Sequence, residues 1–131
     1  MTPTTLFHRL ILNVSYDESL LDSRELVLNS AGYAVESTRS IEEALTRFRE
    51  RHFHLVLIGY TVPELDRKQF VSLIRQHDPS VPVVFISSEG EPIDDPSVDI
   101  TTVNHPEKLL QSVSVALRTE RKVGAVVQRP A

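Results

Sequence analysis

The sequence contains no cysteine, and this absence removes several kinds of chemistry at once. Disulfide bonds, zinc–thiolate sites and thiol catalysis are all excluded. No stretch of about 18 apolar residues occurs, so no membrane-spanning helix is predicted. The N-terminal segment has only a short apolar run and no small-residue cleavage site, so we do not expect a signal peptide. A cytoplasmic protein fits these absences.

Basic residues are in the minority, with 14 Lys and Arg against 18 Asp and Glu and a formal net charge of −4. Nucleic-acid-binding modules usually carry a basic face, so DNA and RNA are not expected as partners. Hydrophobic residues make up 40% of the 131-residue chain, which is enough for one packed domain. We expect that domain over residues 8–120 and a frayed tail over 121–131.

Apolar runs alternate with helical patterns along the chain. Five short runs are predicted as strands. They are Leu10–Val14, Tyr33–Ser37, Phe53–Ile58, Val81–Ile86 and Asp99–Val103. Strands that alternate with helices build a parallel sheet covered on both faces. The predicted fold class is therefore α/β, a single flavodoxin-like domain with a five-stranded parallel sheet in order 2-1-3-4-5.

Four helices have recognisable starts or stops. Gly32 is a stop signal for the first helix. Three later helices are predicted to begin at capping pairs, in which a polar residue is followed three positions on by Glu or Gln. These pairs are Ser40 with Glu43, Asp66 with Gln69, and Asn104 with Glu107. Between the fourth and fifth strands, Pro92 and Pro96 interrupt any helix, so a fourth crossover helix is expected to be shortened or absent.

Ligands of open parallel sheets bind at the carboxyl ends of the strands. Several polar residues follow the predicted strands directly. They are Ser15, Tyr16 and Asp17, then Gly59 and Tyr60, then Ser87 and Ser88, and finally Asn104 and His105. We expect these positions to share one edge of the sheet.

Four short motifs resemble the receiver domains of bacterial two-component response regulators. They are SAGY at 30–33, HLVLIGYTVPELD at 54–66, PVVFISS at 82–88 and NHP at 104–106. The resemblance extends from about Arg9 to Arg118 and implies a CheY-like fold. It also implies a site made of a phosphoacceptor Asp, an acid pair that holds Mg²⁺, a switch Ser or Thr and a conserved Lys.

The sequence departs from that pattern at most of these positions. Gly59 stands at the acceptor position, and His105 stands at the lysine position before Pro106. Ser15 and Tyr16 fall on the acid pair, with Asp17 one position late unless the register slips by one residue. The remaining two positions are Ser87, which keeps the switch hydroxyl, and Thr102, where an aromatic switch residue is usual.

These departures predict a degenerate receiver. Glycine has no carboxylate to accept a phosphoryl group, and neutral hydroxyls are poor Mg²⁺ ligands, so Mg²⁺ binding is expected to be lost and no cofactor is predicted. The resulting hypothesis is an atypical single-domain response regulator that is not an enzyme and acts through protein–protein interaction. Its expected partners are a histidine kinase, another response regulator or a second copy of itself. The alternative is a small-anion sensor or an enzyme that uses the crevice around Ser87 and His105.

Several residues carry two interpretations each. Asp66 is either a helix N-cap or a surrogate acceptor, and Asp17 with Glu18 either complement a helix dipole or hold a weak cation. His52 and His54 are either solvated or metal ligands. The acidic segment 89–95 is either a partner contact or a solvated loop.

Three further expectations concern local structure. The bond between His105 and Pro106 is a candidate cis peptide, as in the family. Tyr16 and Tyr60 are candidates to fill the emptied pocket. The last helix has apolar residues to spare and is the first place to expect an exposed patch. These residues are Val113, Val115 and Leu117.

Overall fold

The computed structural model describes residues 9–88 and 98–128, with side chains through Arg118. The strands are β1 (Leu10–Val14), β2 (Ala34–Thr38), β3 (Leu55–Gly59), β4 (Val83–Ser87) and β5 (Ile100–Val103). The helices are α1 (Glu18–Ser30), α2 (Ile41–Glu50), α3 (Glu64–His77) and α4 (Pro106–Gln128). All strand pairs are parallel, in the order β2-β1-β3-β4-β5. The predicted α/β, flavodoxin-like fold and its strand order are confirmed.

The sheet separates two apolar clusters. Successive residues of a strand point to opposite faces, so Leu12 joins the cluster under α2 and α3, whereas Ile11 joins the cluster under α1 and α4. All five residues of β3 are buried, as expected for a central strand covered on both faces. The central strands therefore end at a fixed edge on which loop residues can be positioned.

Two predicted helix signals, the Ser40 cap and the Gly32 stop, are confirmed, and Asp17 provides a cap that was not predicted. Asp17 caps α1, because its Oδ1 accepts a hydrogen bond from the backbone N–H of Leu20 at 3.0 Å. Ser40 caps α2 in the same way by accepting from the N–H of Glu43 at 3.1 Å. Gly32 has a φ of 97°, the left-handed conformation that favours glycine after a helix.

Two predicted helix starts are wrong. Helix α3 begins at Glu64, so Asp66 lies inside its first turn and is not the cap. Helix α4 begins at Pro106, and the side chain of Asn104 is used elsewhere, as the acceptor of a hydrogen bond from Arg24. Proline suits the first helical position because its missing N–H has no partner there. The peptide bond between His105 and Pro106 is trans, which corrects the cis expectation.

The last helix does not expose the predicted patch. Val113 and Leu117 are buried in the cluster under α1 and α4, and Val115 is half-buried. The large apolar side chains that are exposed within the described residues lie elsewhere. They are Tyr16, Leu26, Leu65 and Leu73.

Helix α4 continues to Gln128, into the segment predicted as a tail, and the domain boundary at residue 120 stays a prediction.

The predictions of a shortened fourth crossover helix and of an acidic contact loop concern residues 89–97, which lie outside the described residues. Within the described ranges, none of the helices combines the length and apolar character that crossing a bilayer requires.

Candidate functional site at the strand ends

The predicted site residues lie at one edge of the sheet. Ser15 follows β1 directly, Gly59 ends β3, and Ser87 ends β4. Gly59 pairs with Ile86, the neighbour of Ser87, so the ends of β3 and β4 are aligned. These positions therefore share one edge of the sheet, as the sequence predicted.

Arg24 fills the space beside Gly59. This residue lies on the buried face of α1, and its side chain is only 3% exposed. A Cβ atom built on Gly59 would collide with Arg24 Nη1 and would lie 3.3 Å from Ser15 Oγ. Position 59 therefore cannot carry a side chain while the guanidinium of Arg24 stays where it is.

The guanidinium of Arg24 is only partly satisfied. Its Nη2 donates a hydrogen bond to Asn104 Oδ1 at 3.2 Å, and its Cζ lies 5.7 Å from the centre of the Tyr60 ring, within cation–π range. Nε and Nη1 are buried and have no acceptor among the described residues. Burial lowers the pKa of Arg24, while Tyr60 and Asp17 act in the opposite direction. The group stays charged at neutral pH, because arginine does not lose its proton there.

A second network surrounds the hydroxyl of Ser15. Ser15 Oγ and Thr61 Oγ1 are hydrogen-bonded at 2.8 Å. Thr61 Oγ1 also accepts from the N–H of Tyr16 at 2.9 Å, and Ser15 Oγ accepts from the N–H of Asp17 at 3.2 Å. The loop after β1 is thereby tied to the loop after β3 by neutral groups.

Tyr16 does not fill the pocket beside Gly59. Its hydroxyl donates to Asp66 Oδ2 at 2.9 Å, and the residue is 38% exposed. Partial burial, the hydrogen bond to Asp66 and the negative charge of that carboxylate raise the pKa of Tyr16 to about 12. Of the two predicted aromatic fillers, only Tyr60 lies against the guanidinium that occupies the space.

Ser87 and His105 are not joined in a common site by any hydrogen bond described. Ser87 is buried, and its Oγ donates to the carbonyl of Thr102 at 3.2 Å. His105 is exposed at the start of α4. It borders a cavity of about 50 Å³ together with Arg24 and Asn104, and Ser87 is not among the residues that line this cavity.

The two histidines before β3 are in contact with each other. The rings of His52 and His54 meet edge to face, with their centres 4.8 Å apart. His54 Nδ1 accepts a hydrogen bond from the N–H of Leu10 at 3.0 Å, so it helps to align the start of β1. Over residues 9–88 and 98–128, no group of three or more potential metal-ligating side chains is arranged around a common point.

The sequence model of the response regulator receiver domain matches residues 11–99. The chain belongs to this family. Receiver domains serve two-component signalling, in which they contact proteins such as kinases and other regulators. A search of curated proteins found no match.

Solved receiver structures share the fold at low sequence identity. The CheY-like receiver of Methanospirillum hungatei is 20% identical, with a TM-score of 0.75 over 87% of this chain and 97% of that one. The N-terminal domain of a three-domain response regulator from Carboxydothermus hydrogenoformans is 25% identical, with a TM-score of 0.76 over 87% and 98%. A Thermotoga maritima response regulator, solved in complex with Mg²⁺ and BeF, is 18% identical, with a TM-score of 0.73 over 82% and 98%.

The strand-end residues of this receiver do not fit Mg²⁺. A hard cation needs several oxygen ligands with negative charge among them. Gly59 offers none, and the carboxylate of Asp17 is bonded to the first turn of α1. The nearest charged group at Gly59 is the guanidinium of Arg24, which repels a cation.

Two residues of this site, Arg24 and Thr61, were not identified from the sequence. Arg24 had a detectable signal, because it lies three positions after Leu21 and four before Leu28, in the middle of the buried stripe of α1. A charged residue in such a stripe must extend to an edge or find a partner. Thr61 had no comparable signal, because its role depends on the distance between two loops.

Proposed function

We propose that this receiver takes part in two-component signalling without accepting a phosphoryl group. The observation that carries the proposal is the guanidinium of Arg24 packed against Gly59. By resemblance to the family, position 59 is that of the acceptor aspartate. A cationic side chain fills the volume that this carboxylate would need.

The other family positions support the same proposal. Ser15 and Tyr16, at the positions of the acid pair, are engaged with Thr61 through neutral hydrogen bonds. Ser87, at the switch position, donates to the carbonyl of Thr102. His105 takes the place of the lysine. The pocket therefore lacks the acceptor, the metal ligands and the permanent positive charge of that lysine.

The proposed mode of action is protein binding through a surface that does not depend on a phosphoryl group. The partner classes are a histidine kinase, another response regulator or a second copy of this chain. Leu26 on α1 is 72% exposed and offers an apolar contact on the first helix. We expect the wild-type protein to capture a histidine kinase or regulator. Loss of this capture in Leu26→Asp but not in Leu65→Asp would support α1 as the contact surface. Equal capture by all three proteins would exclude it.

A catalytic role is not part of the proposal. Asp17 caps α1, and the hydroxyl of Ser87 is bonded to the backbone of β5. Both side chains therefore already have hydrogen-bond partners other than His105. A cytoplasmic location stays a prediction from the sequence.

Intact-mass spectrometry tests the proposal directly. The protein is incubated with a small phosphodonor in the presence and absence of Mg²⁺, beside a receiver that carries the acceptor aspartate. We expect a gain of one phosphoryl mass in the control receiver and none in this protein. A gain that maps to Asp17, Asp66 or a histidine would mean that the acceptor has moved and would overturn the proposal.

A further inference from the structure

Arg24 carries a buried positive charge that no carboxylate balances through an ion pair within the described residues. Its side chain is 3% exposed. Asp17 is the carboxylate that acts on its pKa, and the side chain of Asp17 is already bonded to the N–H of Leu20. An isolated ion in a protein interior is strongly unfavourable unless a counter-charge accompanies it. As far as the described residues show, the environment of Arg24 therefore favours a bound anion.

The guanidinium also has hydrogen-bond donors to offer that anion. Arginine carries five N–H groups, one on Nε and two on each Nη. Nη2 is bonded to Asn104, whereas Nε and Nη1 are buried without an acceptor. Water could accept these N–H groups, but only an anion would also balance the charge.

A small cavity lies next to this cation. Its volume is about 50 Å³, and its polar lining residues are Ser23, Arg24, Asn104 and His105. Asn104 and His105 are exposed, so part of the cavity wall lies at the surface. One water molecule needs roughly 10–15 Å³ of such volume, so the space suits an ion of a few atoms and is too small for a phosphorylated metabolite.

The rest of the cavity wall determines which anions suit it. Ile86, Val103 and Leu109 give it an aliphatic surface. Strongly hydrated, multivalent anions lose most of their hydration energy in such surroundings, whereas weakly hydrated monovalent anions lose less. A single guanidinium also balances one negative charge and not two.

We infer that Arg24, Asn104 and His105 form a binding site for a small monovalent inorganic anion of the class of nitrate and chloride. This inference rests on the proposed function, because an aspartate at position 59 would give Arg24 an internal counter-charge. Arg24 belongs to α1 and its contacts belong to the ends of β3 and β5. Anion binding therefore strengthens the packing of α1 against the strand ends.

The test is thermal and urea unfolding of the full chain in increasing sodium nitrate, with sodium gluconate used to hold the ionic strength constant. A ligand that binds only the folded state divides the unfolding equilibrium constant by a factor. This factor is one plus the ratio of the ligand concentration to its Kd. We expect a saturable effect in the wild type, reaching about elevenfold at nitrate ten times its Kd. Arg24→Gln should abolish this effect. Arg39→Gln, which removes an exposed arginine paired with Glu18, should retain it.

The nitrogen-15 signal of Arg24 Nε provides a second measurement that needs no variant. It should shift with the same saturable dependence on nitrate and should not shift with gluconate. Identical responses to nitrate and gluconate, or a saturable response that persists in Arg24→Gln, would overturn the inference. Should Arg24→Gln fail to fold, the Nε signal of the wild type decides.

The inference and the proposed function fail in different ways. A phosphoryl mass gain overturns the proposed function whatever nitrate does. No mass gain together with no saturable nitrate response overturns the anion site alone and leaves the proposed function standing.

Discussion

Tyr16 donates its hydroxyl to Asp66 at 2.9 Å, a bond that joins the loop after β1 to the first turn of α3. The sequence alone left two interpretations of Asp66, a helix cap and a surrogate phosphoacceptor. The structure instead uses its carboxylate to hold the neutral phenol of Tyr16. Because this hydrogen bond involves a titratable phenol, it makes the stability of the strand-end region depend on pH.

The stability of the protein should fall in alkaline solution in part because of Tyr16. Its pKa is raised to about 12 in the folded state, against 10.0 for an unperturbed tyrosine. A raised pKa means that the folded state holds the proton more tightly, so this contribution is complete below about pH 10 and is lost as the pH rises towards about 12. Between neutral pH and about pH 11, the wild type should therefore lose more unfolding free energy than Tyr16→Phe.

Urea unfolding at several pH values measures this difference. Tyr33→Phe is the matched control, because the phenol of Tyr33 has no hydrogen bond to a carboxylate within the described residues. Asp66→Asn should lower the pKa of Tyr16 without restoring the ordinary value, since desolvation by burial is the largest cause of the shift. Parallel pH profiles for the wild type and Tyr16→Phe would contradict this account.

Positions 24 and 59 should be energetically coupled. Gly59 does not have the left-handed conformation that requires glycine, which Gly32 does have, so alanine is compatible with its backbone. The obstacle is Arg24 Nη1, and Gly59→Ala should cost about 1–3 kcal/mol through overpacking. In an Arg24→Ala background, most of that cost should disappear.

A double-mutant cycle by urea unfolding gives the coupling energy directly, and contacting residues typically show about 0.5–3 kcal/mol. If Gly59→Ala lowers the unfolding free energy equally in both backgrounds, the guanidinium is not the obstacle.

Removing the charge of Arg24 while keeping its bulk should be harmless in the absence of a binding anion. An uncompensated buried charge costs free energy, so an apolar side chain of similar length in its place should be neutral or stabilising. Arg24→Met should therefore unfold at the same or a higher urea concentration than the wild type in gluconate. A loss of several kcal/mol would contradict the view that this charge is uncompensated, and Arg39→Met serves as the exposed control.

Thr61 should control the order of the loop after β1. Thr61→Val keeps the shape of the side chain but removes the bond to Ser15 Oγ and the acceptor for the N–H of Tyr16. The expected cost is about 1–3 kcal/mol, because polar groups lose their partners. Thr46→Val is the control, since that exposed hydroxyl bonds only to its own helix.

Amide hydrogen exchange reports this effect at the residue concerned. The Tyr16 amide should exchange faster in Thr61→Val than in the wild type, because its acceptor is gone. Unchanged protection of that amide would show that Thr61 is not its anchor.

The sheet order and most of the element positions could be predicted because they depend on local patterns. Buried strands such as β3 are continuous apolar runs, and Ser40 caps its helix through a contact three residues away. Strand ends differ from the predicted ones by only one or two residues, since the apolar run and the hydrogen-bonded ladder need not coincide. Topology then places the strand ends at one edge without further information.

The interior of the candidate site could not be predicted in the same way. Arg24 reaches Asn104 across 80 positions of sequence, and Tyr16 reaches Asp66 across 50. Such contacts depend on side-chain length and on the exact separation of the elements. A local capping pattern therefore gave Asp66 and Asn104 the wrong partners, although it placed both residues near the correct edge.

The shared space of Arg24 and Gly59 limits what a single substitution can introduce at position 59. A carboxylate placed there while Arg24 is kept lies against a guanidinium that pairs with it and neutralises it. A chain that has only lost Arg24 has an empty space and no carboxylate at position 59. Installing an unpaired carboxylate at this strand end therefore requires coordinated changes at both positions.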